Sequence, residues 1–398
     1  MFRRKTGIIA SLAEDHLARR VAAILDLHQK GIVVDSDHVV AQALPDGRIA
    51  LRLKHPRKKR RLAAAGPIYT RALTINHLKV PSDQTDFPVW VTFTDPTLKT
   101  LANGGHVHNA SGYDIGFYLD SGGATKLKWE IERYNGTLGE VDAWAKIGTV
   151  SSLNDVVFYM RYGDASISTD QSDPVNTWSN GFAAVYHFKD GIILSTADSL
   201  GAFNMTSTNS PAATAGQLDG AIGLTSSSSQ HVETPSNGPA PAALTLSAWL
   251  KGTTFPNDYN GVITKGVAST DYWGFFVKSS GKLYCRVTGT GVSSYDGTGS
   301  HTLSTGTWYF VAVTYNSTLG LVGYVNAVSD NTAAASGAAT NAGAASGVGF
   351  QRSTGTRFFN GVIDEARICS VARAQDWITT EYNNQSSPST FITVGPEQ

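Results

Sequence analysis

The chain has 398 residues, of which 16% are charged, 10% are aromatic and 40 are glycine. That length accommodates two or three domains with cores of their own, and the composition suits strands joined by tight turns and excludes a helical bundle. Lys and Arg balance Asp and Glu at 32 each, yet residues 1–71 hold 15 cations against 6 acids, so the remainder is as acidic as the start is basic.

A basic root on an acidic body points to docking on an acidic surface or a partner subunit. A solvated basic loop is the alternative. Met1-Phe2-Arg3-Arg4-Lys5 has the charge of a signal-peptide start, but the apolar stretch Ile8-Ile9-Ala10 stops at Ser11 and is too short to continue one. No apolar run of about 18 residues occurs, so no membrane span is expected. Export would then use a route other than secretion, such as assembly into a virion released by lysis.

Residues 11–30 are the one convincing helix. Ser11 and Glu14 form a capping box, Leu17, Val21, Ile24 and Leu25 share a stripe, and Gly31 stops it. The stripe needs a partner, either the rest of the root or the same helix of a neighbouring subunit. Short strands occupy residues 32–54 around the turn Pro45-Asp46-Gly47. The charge run Lys54 to Arg61 has no interleaved aromatic residues for base stacking, so it reads as a linker or docking strap and not a nucleic-acid site. Ala63-Ala64-Ala65-Gly66-Pro67 marks a boundary, leaving residues 1–66 as a basic anchor.

Residues 67–180 read as a first β-sandwich. Phe87 to Phe93, Tyr113 to Tyr118, Lys126 to Tyr134, Glu140 to Ile147 and Asp155 to Tyr162 are strand-like, with turn signals between them. The set Asp86-Phe87-Pro88-Val89, Gly112-Tyr113-Asp114-Ile115, Trp129-Glu130-Ile131-Glu132, Ala143-Trp144-Ala145-Lys146 and Tyr159-Met160-Arg161-Tyr162-Gly163 resembles an uncharacterised β-domain family. That family commonly precedes LamG-like domains in bacterial and phage surface proteins. It has no established catalytic site, so the resemblance implies architecture and not chemistry.

Residues 181–398 resemble a LamG-like jelly roll of the concanavalin type. The resemblance rests on Ala184-Val185-Tyr186-His187-Phe188, Leu244 to Leu250, Tyr272 to Val277, Gly306 to Tyr315 and the closing strand Phe359 to Ile368. The closing strand holds an Asp364-Glu365 pair that generic packing does not require. Ala327 stands where such domains often have the Gly of an Asn-Gly turn, so a type I′ turn would be strained there. Asn331 to Gly347 reads as a long, flexible or shallowly packed loop. The fold class expected is mainly β: two antiparallel β-sandwiches behind a small helix-containing anchor.

Glycoside hydrolysis needs two carboxylates flanking the scissile bond, and the Glu-x-Asp-x-Glu strand of some glucanases is absent. Glu130 and Glu132 share a strand face, as do Glu140 and Asp142, and both pairs read as solvent-facing edges. G-x-S-x-G, H-E-x-x-H, C-x-x-C and Walker loops are also absent. His106 and His108 have no evident third ligand. Cys285 and Cys369 read as small buried thiols, with a single disulfide as the alternative. The LamG resemblance implies calcium at Asp198 and Asp364, with Glu365 a weaker ligand. The alternative is that Asp364 caps backbone amides and Glu365 pairs with Arg367 or Arg373. Aromatic, amide and acid residues at predicted rims nominate Asn257, Asp258, Tyr259, Asn260, Tyr295 and Asp296 as ligand-binding. Trp249, Trp273 and Trp308 read as core.

These observations lead to the expectation of a non-enzymatic virion surface protein: a tail fibre, spike or head decoration. Residues 1–66 would bind other virion or surface-assembly proteins, and the LamG-like unit would bind host glycans. A homo-oligomer is expected. Location on a bacterial cell surface or outside the cell is the alternative to the virion. A purely architectural subunit and a polysaccharide depolymerase are the alternatives in function.

Overall fold

The computed structural model describes residues 39–43, 49–53 and 68–398, apart from 190–191, 290–293, 335 and 341–342. The helix expected at residues 11–30, the basic run and the boundary at residues 63–67 lie outside the described residues. Residues 1–65 are a unit by themselves, in which β1 (Val39–Ala43) pairs antiparallel with β2 (Ile49–Leu53).

Residues 66–398 form the other unit, and it contains both sandwiches. The first comprises β3 (Tyr69–Ile75), β4 (Gln84–Thr94), β5 (Gly116–Tyr118), β6 (Lys128–Asn135), β7 (Glu140–Val150) and β8 (Val156–Tyr162). A three-stranded sheet in the order β4-β7-β6 faces a second sheet containing β3-β8-β5. Alternate residues such as Phe87, Val89, Trp129, Ala143 and Phe158 fill the space between them.

A single helical turn, α1 (Pro174–Thr177), leads into β9 (Phe182–Tyr186) and the second sandwich. Its strands continue as β10 (Thr206–Thr208), β11 (Ala212–Ala215), β12 (Gly220–Leu224), β13 (His231–Glu233), β14 (Leu244–Thr254), β15 (Asn260–Val267) and β16 (Thr270–Val277). Then come β17 (Lys282–Thr288), β18 (Ser294–Thr302), β19 (Tyr309–Asn316), β20 (Gly320–Val325), β21 (Val328–Ala333), β22 (Ser346–Val348) and β23 (Asn360–Cys369). A seven-stranded sheet runs β10-β13-β22-β15-β16-β17-β18, and an eight-stranded sheet runs β11-β12-β23-β14-β19-β20-β21 with β9 beside β23. Between them lies a core that includes Leu246, Trp273, Phe275, Val311 and Ile363.

The two sandwiches are fused. On β14, β19 and β20 one set of alternate residues enters the jelly-roll core, while the other set, Trp249, Phe310, Ala312 and Tyr324, joins the core of the first sandwich. Helix α2 (Gln375–Ser386) wedges into this junction: Trp377 meets Phe87 at 4.7 Å, and Gln385 Oε1 accepts from Trp249 Nε1 at 2.7 Å. The chain then passes through α3 (Pro388–Phe391) into β24 (Ile392–Val394), which pairs with β3. The last residues of the segment assigned to the jelly roll thus complete the four-stranded sheet of the first sandwich, β24-β3-β8-β5.

Two local expectations need correction. Residues 11–30 were to be the one convincing helix, yet α2 exists without a capping side chain, and buried Glu381, Asn384 and Gln385 blur its apolar stripe. Asn331 to Gly347 is not a shallow loop where described: Asn331 lies in β21, Ala339 bridges to Gly289, and Ala344 and Ala345 are buried. The Asn326-Ala327 turn does adopt left-handed backbone at both residues, with φ of 50° and 64°. Ala327 is buried in the junction, where its methyl group adds packing that Gly could not.

Because the sandwiches share apolar residues, calorimetry of residues 66–398 is expected to show a single unfolding transition. Two resolved transitions would contradict a fused core. Deleting residues 387–398 removes β24 and Phe391 and is expected to lower the midpoint of that same transition.

Candidate functional site

Fusion leaves the jelly roll with one outward sheet face uncovered by the first sandwich, that of the seven-stranded sheet. On β17, Leu283, Cys285 and Val287 enter the core, so Tyr284 and Arg286 point outward. On β16, Trp273 and Phe275 point inward and Asp271 and Phe276 outward. Asp296 of β18 lies directly opposite Arg286.

The outward side chains form a continuous polar and aromatic network. Arg286 Nε and Nη2 donate to the two oxygens of Asp296 at 2.8 and 3.1 Å. Its Nη2 also donates to Tyr284 Oη at 2.7 Å, and its Nη1 to Asp271 Oδ2 at 3.3 Å. Asp271 Oδ2 accepts from Gln351 Nε2 at 2.7 Å, and Gln351 Oε1 accepts from Arg357 Nη1 at 2.8 Å. The hydrogen bond to Asp296 raises the Arg286 pKa further, and burial raises that of Tyr284. Tyr259 packs edge-on against Tyr284 at 4.8 Å, with the Arg357 guanidinium 5.0 Å and the Lys278 ammonium 5.4 Å from its ring centre. Phe358 extends the aromatic surface toward His231, 5.5 Å away.

The nominated residues divide accordingly. Tyr259 and Asp296 lie on this network, joined through Tyr284 and Arg286. Asp258 is exposed beside them and accepts from Ser279 Oγ at 2.8 Å. Asn260 is fully buried: its amide donates to Asn257 O and Val277 O, and its Oδ1 accepts from Asn257 N. Asn257 and Asn260 therefore staple the turn that presents Tyr259 and do not themselves face a ligand. Tyr295 belongs to β18 by its backbone, and its side chain lies outside the described residues. Sequence reasoning missed Tyr284, Arg286, Arg357 and Phe358. The alternation of β17 carried a signal for the first two, and nothing local marked the others.

Asp198 and Asp364, the residues nominated for calcium, both accept from backbone amides. Asp198 accepts four backbone N–H groups, from Val185 and Leu200 on Oδ1 and from Ala202 and Phe203 on Oδ2, at 2.9–3.1 Å. A carboxylate has about four lone-pair sites, so Asp198 has none left for a cation that requires several oxygens. Asp364 Oδ2 caps Gln217 N and Leu218 N at 2.8 and 3.0 Å, and Glu365 is held by Arg367. These are the tasks the alternative reading gave them.

Glu130, Glu132 and Asp142 are not on solvent-facing edges. They are 5%, 4% and 1% exposed, because the outer face of β4-β7-β6 is covered by the jelly roll. Buried Trp90, Trp144, Trp178 and Val185 cluster at that seam. Arg367 lies 4.3 Å from the Trp144 ring and 4.9 Å from the Trp178 ring, and donates to both Glu365 and Glu381. Two β-bulges supply the glutamates. Register shifts at Glu365, opposite Ser247/Trp249, and at Glu132, between Ile131 and Arg133, each insert a residue. The bulge at Glu365, whose φ is 52°, lets Asp364 and Glu365 both leave the core side while Ile363 and Ala366 keep to it. Among the described residues, Glu132, His187 and Glu365 are the group whose geometry could hold a metal ion.

Of the other sequence readings, Trp249 and Trp273 are buried and Trp308 is half-buried beneath Lys251. Cys285 and Cys369 are buried free thiols, and burial pushes Cys285 up to about 12. His106 stacks on Tyr69 at 3.9 Å and bonds Glu397. No described helix is long and apolar enough to cross a membrane.

Residues 226–379 match the family profile of the concanavalin A-like lectin/glucanases superfamily. Among solved structures, the chain is similar to domain 4 of AbnA, an extracellular arabinanase from Geobacillus stearothermophilus, in complex with arabinotriose. Identity is 18% over 51% of this chain and 98% of that domain, with a TM-score of 0.38. It is also similar to the receptor-binding domain of botulinum neurotoxin mosaic serotype C/D, at 15% identity and a TM-score of 0.40, and to the binding domain of Paraclostridial Mosquitocidal Protein 1, at 16% and 0.40. In both cases the likeness spans 52% of this chain and 52% of the other. No curated protein sequence matches the chain significantly.

Two stability measurements check these assignments. Asp198→Asn removes the charge and half the acceptor capacity, so urea unfolding is expected to show a loss of about 2 kcal/mol, equal with added calcium or with chelator. Glu365→Gly relaxes the bulge by about 1 kcal/mol but strips Arg367 and His187 of a shared carboxylate, at a cost of about 3–5 kcal/mol. The variant is expected to be less stable, and a gain would contradict the ion-pair assignment.

Proposed function

We propose that this protein is a non-catalytic glycan-binding surface protein whose ligand face is the outward face of the seven-stranded sheet around Tyr259. The observation that carries this reading is the network on that face: partly exposed aromatic rings, Tyr259 and Phe358, beside the planar, fixed side chains of Arg286, Gln351 and Arg357. Sugars offer apolar ring faces and closely spaced hydroxyls, which such surfaces satisfy by stacking and by paired hydrogen bonds. Binding is favoured over hydrolysis because the two carboxylates of the Arg286 network, Asp271 and Asp296, are both engaged by Arg286. Neither is placed as a free general acid or nucleophile.

The first sandwich serves as a rigid mount, since it shares a core with the jelly roll. Residues 1–66 act as the anchor to a virion or other surface assembly, and the whole is a homo-oligomer displayed to host glycans. What supports the anchor is the basic charge of this segment and its separation from the rest of the chain as a unit of its own.

Glycan arrays and polysaccharide pull-down with the full chain test the reading. Tyr259→Ala is expected to weaken binding by about tenfold, the equivalent of about 1.4 kcal/mol, with the unfolding midpoint little changed. Retention of full binding by both Tyr259→Ala and Phe358→Ala, or release of reducing ends from a bound polysaccharide, would overturn it. Detection in purified particles supports the virion setting, and a protein found only free in the cytosol rejects it.

A further inference from the structure

We propose that the seam holds a structural divalent ion of the zinc type, bound by Glu132 of the first sandwich and by His187 and Glu365 of the jelly roll. One donor atom from each of the three lies within 4.8 Å of the others, and the residues are 4%, 3% and 2% exposed. His187 Nδ1 lies 2.6 Å from Glu365 Oε1 and 3.3 Å from Glu132 Oε2. Four-coordinate zinc, with bonds of about 2.0 Å to nitrogen and oxygen, separates its donors by roughly 3.3 Å. The Glu132 spacing matches that edge, and the Glu365 oxygen has to retreat by about 0.7 Å.

The imidazole is oriented for this task. Its Nε2 lies 3.3 Å from Glu130 Oε2. An N–H donated there leaves the Nδ1 lone pair facing Glu365 and Glu132, and carboxyl oxygens beside a lone pair call for a cation between them. A ligating histidine commonly gives its other ring N–H to a carboxylate, which fixes the tautomer. Glu130 is held in place as that acceptor by Trp178 Nε1 at 2.8 Å and Ser199 Oγ at 3.0 Å.

A second observation points to a ligand. Glu132 Oε2 accepts from Trp144 Nε1 at 2.7 Å, but Glu132 Oε1 is buried with no hydrogen-bond partner among the described residues. A buried carboxyl oxygen left in that state is costly, and a bond to a metal satisfies it. With Glu132 chelating through both oxygens, His187 and Glu365 complete a set of four donors without water.

The backbone bends to bring the two glutamates here. Glu132 and Glu365 each occupy a β-bulge, and Glu365 has left-handed backbone although it is not glycine. Bulges re-aim side chains, and such backbone persists where its surroundings over-determine it. Arg367 holds the other oxygen of Glu365 and leaves Oε1 to the ion. The donor set selects the metal. One imidazole nitrogen with a few carboxylate oxygens in a dry site suits zinc, whereas calcium and magnesium take six or more oxygens. The site is closed, so the ion enters as the two sandwiches come together in folding.

Elemental analysis of the full chain, refolded with zinc and passed over a chelating resin, tests this. About one zinc per chain is expected. Nitrogen spectra are expected to show the His187 ring with a proton on Nε2 and none on Nδ1. Glu132→Gln keeps an acceptor for Trp144 but is expected to lose the ion. Glu130→Gln is expected to weaken zinc by about 10–100-fold in competition with a chelating dye. Asp198→Asn, which is destabilised elsewhere, is expected to keep its zinc, and this separates loss of a ligand from loss of stability. Absence of zinc from the refolded, unaltered chain would overturn the proposal. So would a His187 ring protonated on both nitrogens in the presence of zinc, or undiminished zinc in Glu132→Gln.

Discussion

Arg367 is enclosed by two tryptophans and two glutamates in the seam between the sandwiches, and the arrangement of the rest depends on satisfying that charge. A buried ion is costly unless its partners are complete, and removing one partner leaves the others stranded. Glu365 holds Arg367 and His187 together, and His187 reaches back to Glu130 and Glu132 on the first sandwich. Shape complementarity of apolar faces could be met at several registers of one sheet over another. A set of charges that balances in one arrangement selects that register.

The seam determines what the jelly roll can offer a ligand. With one sheet covered by β6, β7, α2 and the tryptophan cluster, the proposed recognition surface is the other sheet. That face has what a binding surface needs and what the seam lacks: partly exposed aromatic rings and a hydrogen-bonding network at its surface. The same covalent chemistry, carboxylate with guanidinium and indole or phenol, thus serves two ends. Buried completely, it fixes architecture. Left half-buried around Tyr259 and Arg286, it is proposed to bind sugar.

Strand alternation made both sandwiches legible in the sequence, and it placed Trp249 and Trp273 inside. It failed where a second layer covered a polar face. Glu130 and Glu132 alternate with Trp129 and Ile131, the pattern of a half-exposed strand, and only the folded chain shows that the polar side is roofed. The Asp364-Glu365 pair was visible as an anomaly, and its cause is a bulge, which no local pattern announces. Tyr259 was legible beside a turn, whereas Asp296, expected at a rim, lies within β18 opposite Arg286. Arg286 and Arg357 were not legible, since cations on strands and loops are common and their pairing is set by residues far along the chain. Helix α2 escaped notice because its polar residues are themselves buried.

The central claim is that the uncovered sheet face, and not the seam, meets the ligand. Hydrogen–deuterium exchange of the full chain with and without a bound polysaccharide tests it most directly. Protection on β16, β17, β18 and the segment 351–359 is the predicted result, with the seam strands unchanged. Protection confined to β6, β23 and α2, or on the first sandwich alone, would contradict the account.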